Sequence, residues 1–209
     1  MKFYRQVDKT HYEFHEYVNK PRWNSIWHQI DEVISLKPNK VLEVGVGSGI
    51  FKSVISLFGI VIETIDIDKD LNPDYIGSVI SMPFNDDSYD IVCAFQVLEH
   101  LPYADAIRAF HEISRVSKRY IVLSIPDFNK VWRYQLYIPK LGEIDFFIPR
   151  PSFFRKIHRF DGEHYWEIGK KQFSLRRIVD DFSFSEWKLL KTYRVRENPY
   201  HRFFIYERI

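Results

Sequence analysis

The sequence predicts an α/β fold: a doubly wound, mostly parallel sheet of seven strands with a C-terminal antiparallel hairpin and one inserted aromatic segment. Three observations carry that prediction. Short β-branched runs alternate with stretches of helical periodicity between residues 38 and 126. A glycine-rich turn joins the first run to the helix after it. Two further runs, joined by a short connection, close the chain as antiparallel neighbours must.

The elements follow in order. Residues 3–36 carry aromatic and aliphatic side chains three to four apart (Tyr12, Tyr17, Trp23, Ile26, Trp27, Ile30, Val33), the spacing of one or two amphipathic helices, and Pro21 suits a helix start. Val41–Val44 is the first strand. Ile50–Phe58 resumes a helical rhythm that Gly59 ends. Ile60–Ile67 and a brief Tyr75–Val79 follow as strands. Tyr89–Phe95 is near-continuously apolar, as a strand covered on both faces must be. Ala104–Val116 reads as a helix and Tyr120–Ile125 as a buried strand before Pro126. From Asp127 to Lys171 the period is lost among many aromatics and prolines 139, 149 and 151; a long irregular segment of this kind reads as a lid or binding loop. Gln172–Phe182 is helical again. Glu186–Val195 and Arg202–Glu207 are the closing strands, with Asn198-Pro199-Tyr200 in their turn. The expected organisation is one domain over residues 1–209: a helical cap (1–37), a core (38–126), the insertion (127–171), and a last helix with its hairpin (172–209).

Composition bounds the class. Hydrophobic residues make up 45% and aromatic residues 17%, which excludes disorder as the main state. No apolar run approaches the roughly 18 residues of a membrane span. Met1-Lys2-Phe3-Tyr4-Arg5-Gln6 does not read as a secretory leader, and the single Cys93 forms no internal disulfide, so a cytoplasmic location is expected. Thirty basic against 28 acidic residues leave a net charge of +2, with none of the excess of a nucleic-acid reader.

The chemistry lies in the turn after the first strand. Gly45-Val46-Gly47-Ser48-Gly49 lets the backbone approach a ligand at the start of a helix, and Asp66, ending the second strand, is placed to accept both hydroxyls of a ribose. A dinucleotide fingerprint would need its third glycine at Ile50, one place later. Glu43, two residues before the first glycine, suits an ammonium better than a pyrophosphate.

These residues resemble a known family. Val41-Leu42-Glu43-Val44-Gly45-Val46-Gly47-Ser48-Gly49 is similar to the first motif of class I S-adenosylmethionine-dependent methyltransferases, and Thr64-Ile65-Asp66-Ile67-Asp68 to their second. Residues 82–92 and Gln96-Val97-Leu98-Glu99-His100-Leu101 resemble the small-molecule branch that includes the ubiquinone and menaquinone C-methyltransferases. The resemblance implies a Rossmann-like sheet with S-adenosyl-L-methionine as cofactor. Gly45, Gly47 and Gly49 would wrap its methionine part, Glu43 orient its ammonium, Asp66 hold the ribose and Ile67 pack on the adenine. Where relatives carry Gly-Asp-Ala, this chain has Gly77, Ser78 and Val79, leaving Ser78 or a backbone group for the adenine edge. Gln96 completes the cofactor-facing set.

Methyl transfer needs alignment and, for some acceptors, a base, and histidine titrates nearest neutrality. His100, past the fourth strand, and His164, in the insertion, are the catalytic candidates. The insertion's aromatics would build the acceptor pocket. Arg150, Arg155, Lys156 and Arg159 suit a carboxylate or phosphate on the acceptor, a solvated face, or contact with a membrane or isoprenoid. No metal set is read. Asp66, Asp68 and Asp70 lack a calcium loop's glycine and glutamate, having Leu71 and Gly77 there, and His11 and His15 lack a third ligand. The expected activity is methyl transfer to a small-molecule acceptor, anionic or sugar-like; the alternatives are an RNA or nucleotide methyltransferase, or a non-catalytic S-adenosylmethionine-binding protein.

Overall fold

A computed structural model describes residues 9–151 and 156–209. After a 3-10 turn, Lys9–Tyr12, come α1 (Phe14–Tyr17) and α2 (Lys20–Ser35). The side chain of Asn19 caps α2 by accepting from the Arg22 amide at 2.9 Å, and Pro21 lies in its first turn. The core then runs β1 (Lys40–Val44), α3 (Ile50–Leu57), β2 (Val61–Asp66), β3 (Tyr75–Ile76), β4 (Tyr89–Phe95), α4 (Tyr103–Val116) and β5 (Ser117–Pro126). Next are β6 (Val131–Ile138), β7 (Gly142–Pro149), α5 (Leu175–Asp181), β8 (Trp187–Arg194) and β9 (His201–Arg208).

Seven strands form one sheet in the order β3-β2-β1-β4-β5-β9-β8. The first five are parallel, and β9 runs antiparallel to both β5 and β8. Alternate residues of each central strand enter opposite layers, as the pleat requires. Val41, Ile91, Cys93 and Val122 pack with Val33 of α2, Phe51 and Ile55 of α3, and Phe203. Leu42, Val92, Ala94 and Leu123 pack with Phe110 and Ile113 of α4, Ile178 of α5, and Trp166. Phe110 stacks on Phe182 at 4.9 Å, which locks α4 to the end of α5. Chain order reverses between β1 and β4, so the crevice at their carboxyl ends is the ligand position in such sheets.

Most elements fall where the periodicity puts them. The insertion corrects the expectation of an irregular segment: β6 and β7 form a two-stranded antiparallel sheet of their own. Its apolar residues do alternate. Trp132, Tyr134 and Leu136 lie opposite Ile148, Phe146 and Ile144, while Pro139 and Pro149 fall at a turn and a strand end. The rest of the insertion returns to the main sheet, where the Ile168 amide donates to the Pro126 carbonyl at 3.0 Å and the Phe128 amide to the Ile168 carbonyl at 2.8 Å.

Candidate functional site

The glycine turn leaves β1 with Gly45 at φ 81° and Gly47 at φ 53°, in the left-handed region that favours glycine. Space closes the argument at Gly45, where an added Cβ would lie 2.7 Å from Val97 Cγ2. Gly49, also left-handed, caps α3. Asp66 at the end of β2 reaches across to this turn. One of its oxygens accepts from the Val46 amide at 2.8 Å and the other from the Asp68 amide at 2.8 Å. Each carboxylate oxygen has a second lone pair, which is the capacity a diol needs. Burial pushes the Asp66 carboxyl above its usual range, opposed by those two amides.

Glu43 lies under the turn, buried, and its Oε2 has no hydrogen-bond partner. Burial holds its carboxyl well above the usual range, with Lys52 pulling it back. Ile67 is 45% exposed beside Asp66. Ser78 and buried Val79 follow β3, with Ser78 bridged to Ser81. Gln96 has φ 56°, an uncommon backbone for a side chain of its size, at the carboxyl end of β4. Its Nε2 donates to Ser124 Oγ at 3.2 Å, so this side chain ties β4 to β5.

Three residues to which the sequence reading gives no site role stand here. A Cβ at Gly47 would lie 3.7 Å from both the Tyr12 ring and the Tyr17 hydroxyl. Those two rings meet edge-on at 5.0 Å, and the Arg22 guanidinium sits 4.1 Å above Tyr17. Burial raises the Tyr12 hydroxyl's pKa, and the nearby Tyr17 and Asp66 add to it. Helical spacing in the first segment marks Tyr12 and Tyr17 only as apolar-face candidates and leaves Arg22 unmarked; nothing local says that the face covers a glycine turn.

A second cluster occupies the end of β4. Glu99, in the 3-10 turn Leu98–His100, is fully buried, and neither carboxylate oxygen has a hydrogen-bond partner. Burial pushes its pKa up to about 7. The ring of His100 stands 5.0 Å from that of His164, so the two sequence candidates converge. His100 Nδ1 donates to the Glu163 carbonyl at 3.0 Å, and burial with the nearby His164 depresses its pKa to about 4. His164 Nδ1 meets Glu167 Oε1 at 3.2 Å; burial opposes its charge, but Glu167 and Glu99 raise its pKa overall. Glu167 also binds the Tyr200 hydroxyl and, at 3.0 Å, Lys170. Against the cost of burial these bonds drop its pKa to about 2. Tyr200 thus does more than close the β8–β9 turn.

The remaining candidates are scattered. Arg150, Lys156 and Arg159 are exposed, and Arg155 lies outside the described residues. His11 packs edge-on against Tyr12 and Tyr17, and His15 against Phe14. Cys93 is buried in β4.

A family model described as a methyltransferase domain matches residues 18–180. The chain belongs to that family. No curated protein matches it by sequence. Among solved structures, this methyltransferase-family chain is similar to Burkholderia thailandensis 1,6-didemethyltoxoflavin-N1-methyltransferase, solved with S-adenosylhomocysteine. The TM-score is 0.62 at 9% identity, covering 95% of this chain and 84% of that one. It is also similar to magnesium protoporphyrin IX methyltransferase from Synechocystis, solved with bound S-adenosylmethionine, at TM-score 0.56 and 16% identity, covering 92% and 85%. A small RNA methyltransferase matches at TM-score 0.61 and 15% identity, over 91% of this chain and 26% of its own. At these identities the likeness is one of fold, and it spans neighbours of quite different acceptors. No described helix is long and apolar enough to cross a membrane.

Proposed function

We propose that the chain is an S-adenosylmethionine-dependent methyltransferase acting on a small-molecule acceptor by in-line displacement. One observation carries the reading: a left-handed glycine turn is hydrogen-bonded to the strand-ending Asp66, and two residues before it β1 holds a buried Glu43 with a partnerless oxygen. The residues fit the cofactor. The orphaned Glu43 oxygen is the counter-charge an ammonium would meet, the turn leaves backbone room for the methionine part, and Asp66 has lone pairs for the ribose. Ile67 and the Ser78–Val79 backbone flank the adenine side. When bound, S-adenosylmethionine would supply an activated methyl group on its sulfonium for transfer to the acceptor, with S-adenosylhomocysteine as the leaving group.

The chain's own part is alignment and exclusion of water. Tyr12 and Tyr17 close the turn from outside. His100 and His164 meet the acceptor from the far side of β4, and the insertion (127–171) covers it. An anionic acceptor would fit the basic side chains the insertion carries at Arg150, Lys156 and Arg159.

Calorimetric titration with S-adenosylhomocysteine tests the reading, with NAD as the control. Micromolar binding of the sulfur compound and none of NAD is expected. Glu43→Gln and Asp66→Ala should each weaken binding roughly 10–100-fold, the range of a lost charged hydrogen bond. Tight NAD binding in its place sinks the proposal. With binding in hand, turnover is assayed on small hydroxylated acids and on RNA; methylation of RNA alone overturns the small-molecule part.

A further inference from the structure

We propose that Glu99, His100 and His164 bind a divalent first-row transition-metal ion at the acceptor end of the site. One ligand atom from each of the three lies within 4.8 Å of the others. Such an ion holds nitrogen and oxygen ligands at roughly 2.0–2.2 Å, so ligand atoms sharing it stand about 3–4 Å apart.

Two further observations point to a cation. Glu99 is 0% exposed, and both its oxygens lack a hydrogen-bond partner. A carboxylate so placed is a costly feature unless a positive charge sits against it. The histidines are also built as ligands are. The Glu163 carbonyl can only accept, so His100 carries its proton on Nδ1 and its lone pair on Nε2. Glu167 is held ionised by Lys170, so His164 Nδ1 donates to it, and Nε2 is the ring atom on which a metal ion would compete with a proton. An imidazole whose outer N–H is held by a carbonyl or carboxylate is the usual outer shell of a metal-bound histidine.

The neighbouring trio Asp161, His164 and Glu167 is equally close. It is the weaker candidate, because Glu167 is already engaged by Lys170 and Tyr200, and Asp161 accepts from the amides of Glu163 and His164. Two imidazoles with one carboxylate favour manganese, iron, cobalt or zinc over magnesium or calcium, and three protein ligands leave positions open. The ion's task, holding an oxygen of the acceptor in place of a lone histidine base, rests on the methyltransferase reading; the metal binding itself does not. Sequence spacing hides the set, since two ligands are adjacent and the third lies in another segment.

The test uses the full chain stripped with EDTA and titrated with cobalt(II), read by visible d–d absorption and by calorimetry. The expected result is one ion per chain at micromolar affinity, weakened at least about 10-fold in Glu99→Gln and in His164→Ala and unchanged in the exposed His111→Ala. Circular dichroism checks each variant's fold, and His100→Ala replaces any that fails. Absence of saturable binding in the wild type, or equal binding in all variants, overturns the site. S-adenosylhomocysteine is titrated on the same samples. If it binds where cobalt does not, the metal site falls alone; if cobalt binds and it does not, the metal site stands and the methyltransferase reading falls.

Discussion

Gly45 concentrates the chemistry of the turn in one residue. Its φ of 81° and the 2.7 Å approach of Val97 Cγ2 to any added Cβ make two separate costs for one methyl group. Gly45→Ala should therefore lose about 1–3 kcal/mol of stability and most of the cofactor affinity. The double variant Gly45→Ala/Val97→Ala should recover only the steric part, because the backbone strain remains. Denaturant unfolding of the pair measures the split, and full recovery would mean that strain contributes nothing. At this scale the sequence was readable where a residue's role follows from its immediate neighbours: the glycines, Glu43 and Asp66 declare themselves by position along the first two strands. Tyr12, Tyr17 and Arg22 do not, since their role depends on where the first 3-10 turn, α1 and α2 land. Glu167 and Tyr200 are similarly silent, because each is defined by the other and by His164, across two segments of chain.

The β6–β7 hairpin behaves as a unit apart from the elements that build the sheet. Among the described residues it pairs only with itself, and its alternating Trp132, Tyr134, Leu136, Phe146 and Ile148 are all between 41% and 50% exposed. An isolated hairpin has little stability of its own, and the links from Asp145 to Arg133 and Arg196 are long, at 3.7 and 3.9 Å. The strands' ends already meet, because the Arg150 amide donates to the Lys130 carbonyl at 3.0 Å. Replacing residues 131–149 with Gly-Gly should thus leave Tm within about 4 °C and S-adenosylhomocysteine binding intact, while methyl transfer to the acceptor is lost. A collapse of Tm would show the hairpin to be part of the fold. The period-2 pattern was present in the sequence, but prolines and flanking aromatics masked it. The parallel strands were easier to read, since burial on both faces makes them apolar throughout.

Across the whole molecule, binding and stability are built at opposite ends of the sheet. The site lies at the carboxyl ends of β1 and β4, while carboxylate latches bind the strands nearer their starts. Asp90 on β4 accepts from the amides of Asn39 and Lys40 at 2.8 and 3.1 Å, tying β4 to the start of β1. Glu63 on β2 accepts from the Tyr89 hydroxyl at 2.6 Å and pairs with Lys40 at 3.0 Å, so one carboxylate spans three strands. These bonds lower the pKa of both carboxyls, chiefly the Tyr89 hydroxyl for Glu63, and for Asp90 the two amides against the cost of burial. A carboxyl with a lowered folded pKa adds stability that is complete above its unfolded value near 4 and lost as pH falls through the folded one. Glu43 and Asp66 are shifted the other way and give no such acid limb. Tm should accordingly hold from neutrality to about pH 5 and fall steeply below about pH 4. Asp90→Asn should lower Tm at neutral pH, and its gap from the wild type should close once the pH has fallen below the lowered folded pKa of Asp90, where the wild-type carboxyl is protonated too. A gap that persists unchanged at that pH would place the contribution of Asp90 in packing, and the seam between β1 and β4 would owe nothing to charge.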